Sequence, residues 1–135
     1  MAEADPACHF GTNAEWPAGL SSAAGCDPAI MGIGPIPATR KAMARAALDV
    51  GALDVIEINE AFASQALACI RELRLDPAKI NIDGGGIALG HPLGATGARI
   101  TGKAASLLHR GKGRYALATQ CIGGGQGIST VLEAP

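Results

Sequence analysis

Three clusters in this sequence pair reactive residue types with settings that suit chemistry. Cys121 runs directly into Gly123-Gly124-Gly125. Glycines let backbone N–H groups approach a bound molecule closely. A thiol in such a loop exchanges protons if nearby donors or positive charge lower its pKa. A buried, inert thiol is the competing reading. His91 lies in GHPLGATGAR, held by Gly90, Pro92 and Gly94. An imidazole titrates near neutrality and can relay a proton or donate to an oxyanion. A solvated, idle loop histidine is the plainer alternative, and it is the reading adopted for His9 and His109. Asn59 follows an apolar run and precedes Glu60-Ala61-Phe62. Its amide could hold a water or a carbonyl oxygen, or it could cap the following helix. Glu60 suits the first turn of that helix electrostatically and is assigned no catalytic role.

The elements that must position these clusters read as follows. Residues 1–24 mix Pro, Gly, Ala, Ser and isolated charges without period, which predicts a poorly ordered lead-in. Gly25 to Pro37 is punctuated by Gly and Pro and reads as a loop. Met43, Ala47 and Val50 fall at helical spacing, predicting a helix over Thr39 to Val50 that stops at Gly51. Leu53 to Asn59 reads as a strand. Glu60 to Leu73 reads as a helix with Phe62, Ala66, Cys69, Ile70 and Leu73 on its apolar stripe. Lys79 to Ile82 reads as a short strand entering the glycines Gly84 to Gly86. Gly94 to His109 reads as a helix whose first turns are nearly all small residues. Glycine in a helix costs about 0.5–1 kcal/mol relative to Ala, so this helix is expected to be buried by close packing. Arg114 to Cys121 and Gln126 to Glu133 read as an antiparallel strand pair. Strand–helix alternation predicts an α/β fold with a mixed, mostly parallel sheet. Ligands of such sheets sit beyond the carboxyl ends of the strands, and Asn59, His91 and Cys121 all fall at expected strand ends.

Bulk properties narrow the function classes. The 135 residues suit one domain. A net charge of −1 gives no sign of a nucleic-acid or anionic-membrane partner. The N-terminus has no basic region followed by an apolar one, and no apolar run is long enough for a bilayer. The cysteines Cys8, Cys26, Cys69 and Cys121 form no CxxC pair and no metal-ligand spacing. These features predict a cytoplasmic protein with reduced thiols and no metal, with disulfides as the minor alternative.

One decoy is set aside. Gly97 to Lys103 satisfies most of the phosphate-loop pattern GxxxxGK, but Ala104 stands where Ser or Thr would bind magnesium. The segment also reads as helix interior, not as a loop after a strand.

The clusters together resemble the thiolase family. NEAFA at Asn59 to Ala63, GGGIALGHPLGATGAR at Gly84 to Arg99 and CIGGGQG at Cys121 to Gly127 match its motif blocks in order. PAIMGIGPIPATRKA at Pro28 to Ala42 is similar to the family's entry into its C-terminal half. The resemblance covers about Gly25 to Glu133 and implies a C-terminal domain over residues 25–135. Ketoacyl synthases are a poorer match, since they generally carry a second histidine or an asparagine where Cys121 stands. NEAF also favours acetyl-CoA and oxoacyl-CoA thiolases over the types with HDCF or HEAF.

The resemblance implies CoA-dependent cleavage or Claisen condensation of a 3-oxoacyl-CoA, within fatty acid metabolism. Coenzyme A would be a substrate, with no permanently bound cofactor. His91 would activate a nucleophilic cysteine. Cys121 would serve as acid/base toward the acetyl methyl group or the departing thiolate. Asn59 would hold a water that forms an oxyanion hole with His91, and the Gly123 N–H would belong to a second one. The family's N-terminal half and its nucleophile have no counterpart here, and neither Cys8 nor Cys26 has the matching context. The chain alone is therefore expected to be inactive and to expose an apolar face that the other half, or another subunit of an oligomer, would cover. A non-catalytic association module is the second reading. A CoA- or nucleotide-binding domain without chemistry is the third.

Overall fold

The structure, a computed structural model, describes residues 18–135. Strands are β1 (Ala18–Gly25), β2 (Val55–Ile58), β3 (Tyr115–Ile122) and β4 (Gln126–Glu133). Helices are α1 (Pro35–Ala46), α2 (Ala63–Leu73), the single turn α3 (Gly86–Leu89) and α4 (Thr96–Gly111). Sheet order is β1-β4-β3-β2.

The β3–β4 hairpin forms as expected, with Cys121 opposite Gly127 and Tyr115 opposite Glu133. The sheet is mixed, but parallel pairing is confined to β2–β3 and one bridge between Ile56 and Ile80. Both other ladders are antiparallel. The expected strand over Lys79 to Ile82 thus reduces to that bridge, because Asn81 takes a left-handed φ of 45° and turns the chain away. The expectation of a mostly parallel sheet counted this segment and missed β1.

Part of the expected lead-in is ordered structure. Residues 1–17, including Cys8 and His9, lie outside the described residues. Ala18–Gly25 pairs along its whole length with β4. Its sequence, AGLSSAAG, has no β-branched or aromatic residue, so its ladder partner rather than propensity makes it a strand. Helix α1 also begins earlier than periodicity placed it. Pro35 opens it, where the missing N–H is no loss. It ends at Ala46, where Ala47 turns left-handed and Leu48 N–H donates to Met43 O.

The sheet carries a core on each face. Ile56, Ile58, Leu117 and Val131 pack with Ile36 and Met43 of α1 and Cys69 and Leu73 of α2. Val55, Ala116, Ala118 and Leu132 pack against Ile100, Ala104, Leu107 and Leu108 of α4. Full burial of a leucine such as Leu108 contributes roughly 2 kcal/mol. Polar ties fix α1 on the sheet: the buried hydroxyls of Thr39, Thr119 and Ser129 interlink, Thr39 to Ser129 at 2.9 Å and Thr119 to Ser129 at 2.7 Å.

Helix α4 meets its expectation only in part. Gly97 does lie close to the sheet, since a Cβ there would come 3.2 Å from the Gln120 amide. Gly94 and Gly102 face open space, and Ala95, Ala98 and Ser106 are exposed beside them. The stripe of small residues therefore points away from the sheet. Gly97 to Lys103 is helix interior throughout, as its rejection as a phosphate loop required. No helix of the described residues is long and apolar enough to cross a membrane.

Candidate active site

Parallel pairing of Ile58 with Thr119 sets the carboxyl ends of β2 and β3 side by side. Asn59 leaves the first, its N–H donating to Thr119 O at 2.9 Å. Cys121 closes the second. His91 arrives differently from expectation: it follows α3 in a loop, not the end of a strand.

Asn59 is fully buried and caps no helix. Phe62 is the N-cap of α2, with no side-chain cap bond. The Asn59 amide instead faces His91, with Nδ2 3.2 Å from the ring Nε2. Glu60 likewise lies outside the first turn of α2. Its carboxylate accepts from Asn81 Nδ2 at 2.6 Å and from the Ile87 N–H at 2.9 Å.

A residue that sequence reasoning missed orients His91. With its proton on Pro92 O at 3.0 Å, the Thr96 hydroxyl can accept from the ring. It lies 2.7 Å from His91 Nδ1, and the Asn59 amide donates at Nε2, so Nδ1 carries the proton of the neutral ring. The neutral ring's lone pair is then on Nε2, where it accepts from Asn59. The available signal was a hydroxyl five residues beyond a histidine at a helix start, hidden in a run read only as small.

A cavity of about 610 Å³ opens where these segments meet, lined among others by His91, Leu93, Cys121, Gly123, Phe62 and Gln65. His91, Cys121 and Gly123 thus share one space, and Asn59 joins them through His91. The lining is mainly apolar, so charge developing there would interact strongly with the few polar groups present. Gly124 and Gly125 hold φ of 80° and 78°, shaping the turn after Cys121 that leaves the Gly123 backbone at the cavity.

Burial pushes the Cys121 thiol up from its ordinary value, against a smaller opposing effect of a backbone hydrogen bond. Proton exchange by this thiol was expected on condition that nearby donors or positive charge lowered its pKa; among the described residues the net effect is to raise it. Cys121 is therefore a thiol at neutral pH. Gln65, also missed, is buried at the cavity wall and donates weakly to Cys69 Sγ at 3.6 Å. Behind the site, Glu57 of β2 is fully buried with neither carboxylate oxygen hydrogen-bonded. Desolvation raises its pKa to about 7, opposed by the charges of Arg99 and Lys103.

His109 lies in the last turn of α4, exposed, as its plain reading required. Cys26, Cys69 and Cys121 are free thiols. Among the described residues, no group of three or more His, Cys, Asp or Glu is placed to hold a metal.

Comparison with known proteins assigns this arrangement to a class. The family model described as thiolase, C-terminal domain, matches residues 18–134. The chain belongs to the thiolase family. It is 64% identical over 110 residues to the β-ketothiolase BktB of Cupriavidus necator, covering 82% of this chain and 28% of that protein. It is 56% identical over 115 residues to a 3-ketoacyl-CoA thiolase of Vibrio vulnificus, covering 83% of this chain and 30% of that one. The human mitochondrial 3-ketoacyl-CoA thiolase, solved in complex with CoA, superposes with a TM-score of 0.86 at 48% identity, over 92% of this chain and 31% of that one. The Bacillus anthracis acetyl-CoA acetyltransferase gives 0.86 at 45%, over 89% and 31%. The chain thus spans about three-tenths of the length of these relatives, over their C-terminal part. The family match includes β1.

Proposed function

We propose that this chain supplies the acid/base half of a thiolase site acting on a 3-oxoacyl-CoA. The observation that carries the reading is the shared cavity: His91, with its Nε2 lone pair set by Thr96, borders the same space as the Cys121 thiol and Gly123. In cleavage, a nucleophilic cysteine supplied from outside these 135 residues displaces the Asn59 amide from the His91 Nε2 lone pair, loses its proton there and attacks the 3-oxo carbonyl. The Nε2–H so formed faces an oxygen on which charge builds, together with a water held by Asn59. As the carbon–carbon bond breaks, the departing acetyl-CoA carbanion takes a proton from the Cys121 thiol. The resulting thiolate then takes the proton of incoming CoA, whose sulfur attacks the enzyme-bound thioester; the cysteine thiolate it expels takes its proton back from His91 Nε2. The Gly123 N–H donates to the thioester oxygen. Each such donor contributes typically about 3–4 kcal/mol of transition-state stabilisation.

The 135-residue chain alone is expected to be inactive, since neither Cys8 nor Cys26 has the sequence context of the family's nucleophile. Incubation with acetoacetyl-CoA and CoA should release no acetyl-CoA above background. Turnover by the unmixed chain would overturn this.

A second reading, an association module, is favoured by one further observation. Ala95, Ala98, Gly102 and Ser106 form an exposed small-residue stripe at helical spacing on α4, and Ile87, Leu89 and Leu93 nearby are 66%, 62% and 84% exposed. A backbone could approach this face closely. The two readings are compatible if the partner is a thiolase N-terminal half or another thiolase subunit. Size-exclusion chromatography with and without that half tests the second reading: a monomer indifferent to it counts against association.

A further inference from the structure

Asn59 and His91 must keep a hydrogen-bonded distance although they come from segments with little reason to stay together. Asn59 ends a fully buried strand. His91 follows a glycine-rich stretch whose apolar side chains, Ile87 and Leu89, are mostly exposed. Packing anchors that stretch poorly, so polar contacts must hold it.

Those contacts converge on two side chains. Asn81 N–H donates to Ile56 O at 2.8 Å. Its side-chain Oδ1 then accepts from Ile58 N at 3.0 Å, and Nδ2 donates to Ile58 O at 3.0 Å. The amide thus replaces a neighbouring strand for the residue just before Asn59. A side-chain amide offers one acceptor and two N–H donors, and Asn tolerates the left-handed φ of 45° better than other non-glycine residues. The remaining Nδ2 hydrogen reaches Glu60 Oε1, while Glu60 Oε2 takes the Ile87 N–H, four residues before His91. Gly85 and Gly86 make the approach possible. A Cβ on Gly85 would collide with the Glu60 carboxylate and come 2.5 Å from Asn81 Nδ2, and one on Gly86 would come 3.3 Å from Asn59 Oδ1.

We propose that Asn81 and Glu60 are positioning residues, forming a clamp that joins the end of β2 to α3 and thereby sets the Asn59–His91 distance. This rests on the pairing of Asn59 with His91 as the working core of the site. Neither residue touches the cavity, and both act through the pair they hold.

The test is NMR on the full 135-residue chain with 15N-labelled Asn and His, at a pH where His91 is neutral. Two signals are read. One is the scalar coupling between Asn59 Nδ2 and His91 Nε2 across their hydrogen bond. The other is the ring-nitrogen pattern of the Nδ1–H tautomer, which depends on the local bond to Thr96. Asn81→Ala and Glu60→Gln are expected to lose the coupling and keep the tautomer. Glu60→Gln preserves size but offers a single acceptor oxygen, so it decides the matter if Asn81→Ala unfolds. Leu73→Ala, which weakens the core under α2, should keep both signals. Undiminished coupling in Glu60→Gln, or its loss in Leu73→Ala, would overturn the clamp. Absence of the coupling in the unmodified chain would instead overturn the site pairing itself.

Discussion

The Thr96 hydroxyl, 2.7 Å from His91 Nδ1 and already donating to Pro92 O, fixes which nitrogen of the imidazole is free. Thr96→Val keeps the shape and removes the acceptor. The ring-nitrogen resonances of His91 should move from a single tautomer toward a mixture, in which only the Asn59 bond to Nε2 still favours Nδ1–H. Global stability should fall by only about 1 kcal/mol, the usual net worth of one such hydrogen bond. A pure Nδ1–H tautomer in the variant would show that something else orients the ring.

Cys121 is half-buried and its thiol is pushed up, while Cys69 is fully buried. Site-resolved alkylation with iodoacetamide should therefore modify Cys121 with a pH midpoint above that of an ordinary cysteine. Cys69 should stay unmodified in the folded chain. A Cys121 midpoint below the ordinary value would mean that an activating charge is present, and the acid-first role would fail.

Glu57 sets a pH dependence of stability. Its carboxyl titrates near 7 when folded, against a reference of 4.5. Between those values the folded state holds more protons than the unfolded one, so this group's contribution falls as pH rises across the window. Above about 7 the loss is complete. Glu57→Gln should remove that slope and be the more stable form at the alkaline end, by up to ~3 kcal/mol. Urea denaturation at several pH values checks it, and parallel curves for the two proteins would contradict it.

Helix α1 enters against β4 through two glycines. A Cβ on Gly127 would collide with Gly34 O and C and come 2.7 Å from Pro35 N. These are backbone atoms, which cannot swing aside as side chains do. Gly127→Ala is expected to cost about 3 kcal/mol or more, whereas Gly102→Ala, facing open space, should stabilise α4 slightly. Thermal unfolding of both variants compares them, and equal melting temperatures would refute the packing argument.

Much of this molecule was legible in its sequence where a pattern had one physical cause. The strands β3 and β4 and the helix α2 follow from periodicity and the turn glycines between or beside them. His91, Cys121 and Asn59 were singled out because each pairs a reactive side chain with a glycine-rich or strand-end setting. What was not legible depends on partners distant in sequence. Strand β1 exists because β4, a hundred residues on, offers it a ladder. Asn81 looks like the middle of a strand until its side chain is seen standing in for one. Thr96 is meaningful only once Pro92 O takes its proton. Glu60 fits a helix start by charge, yet it serves α3 and Asn81.

The most direct test replaces the C-terminal part of the Cupriavidus necator β-ketothiolase with residues 18–135 of this chain, giving the site a nucleophile from a relative 64% identical to it. The fusion should cleave acetoacetyl-CoA with CoA. His91→Ala in the fusion should lower kcat by at least ~10²-fold, the scale of losing an acid/base or oxyanion group. A folded fusion without turnover, or one indifferent to loss of His91, would contradict the account.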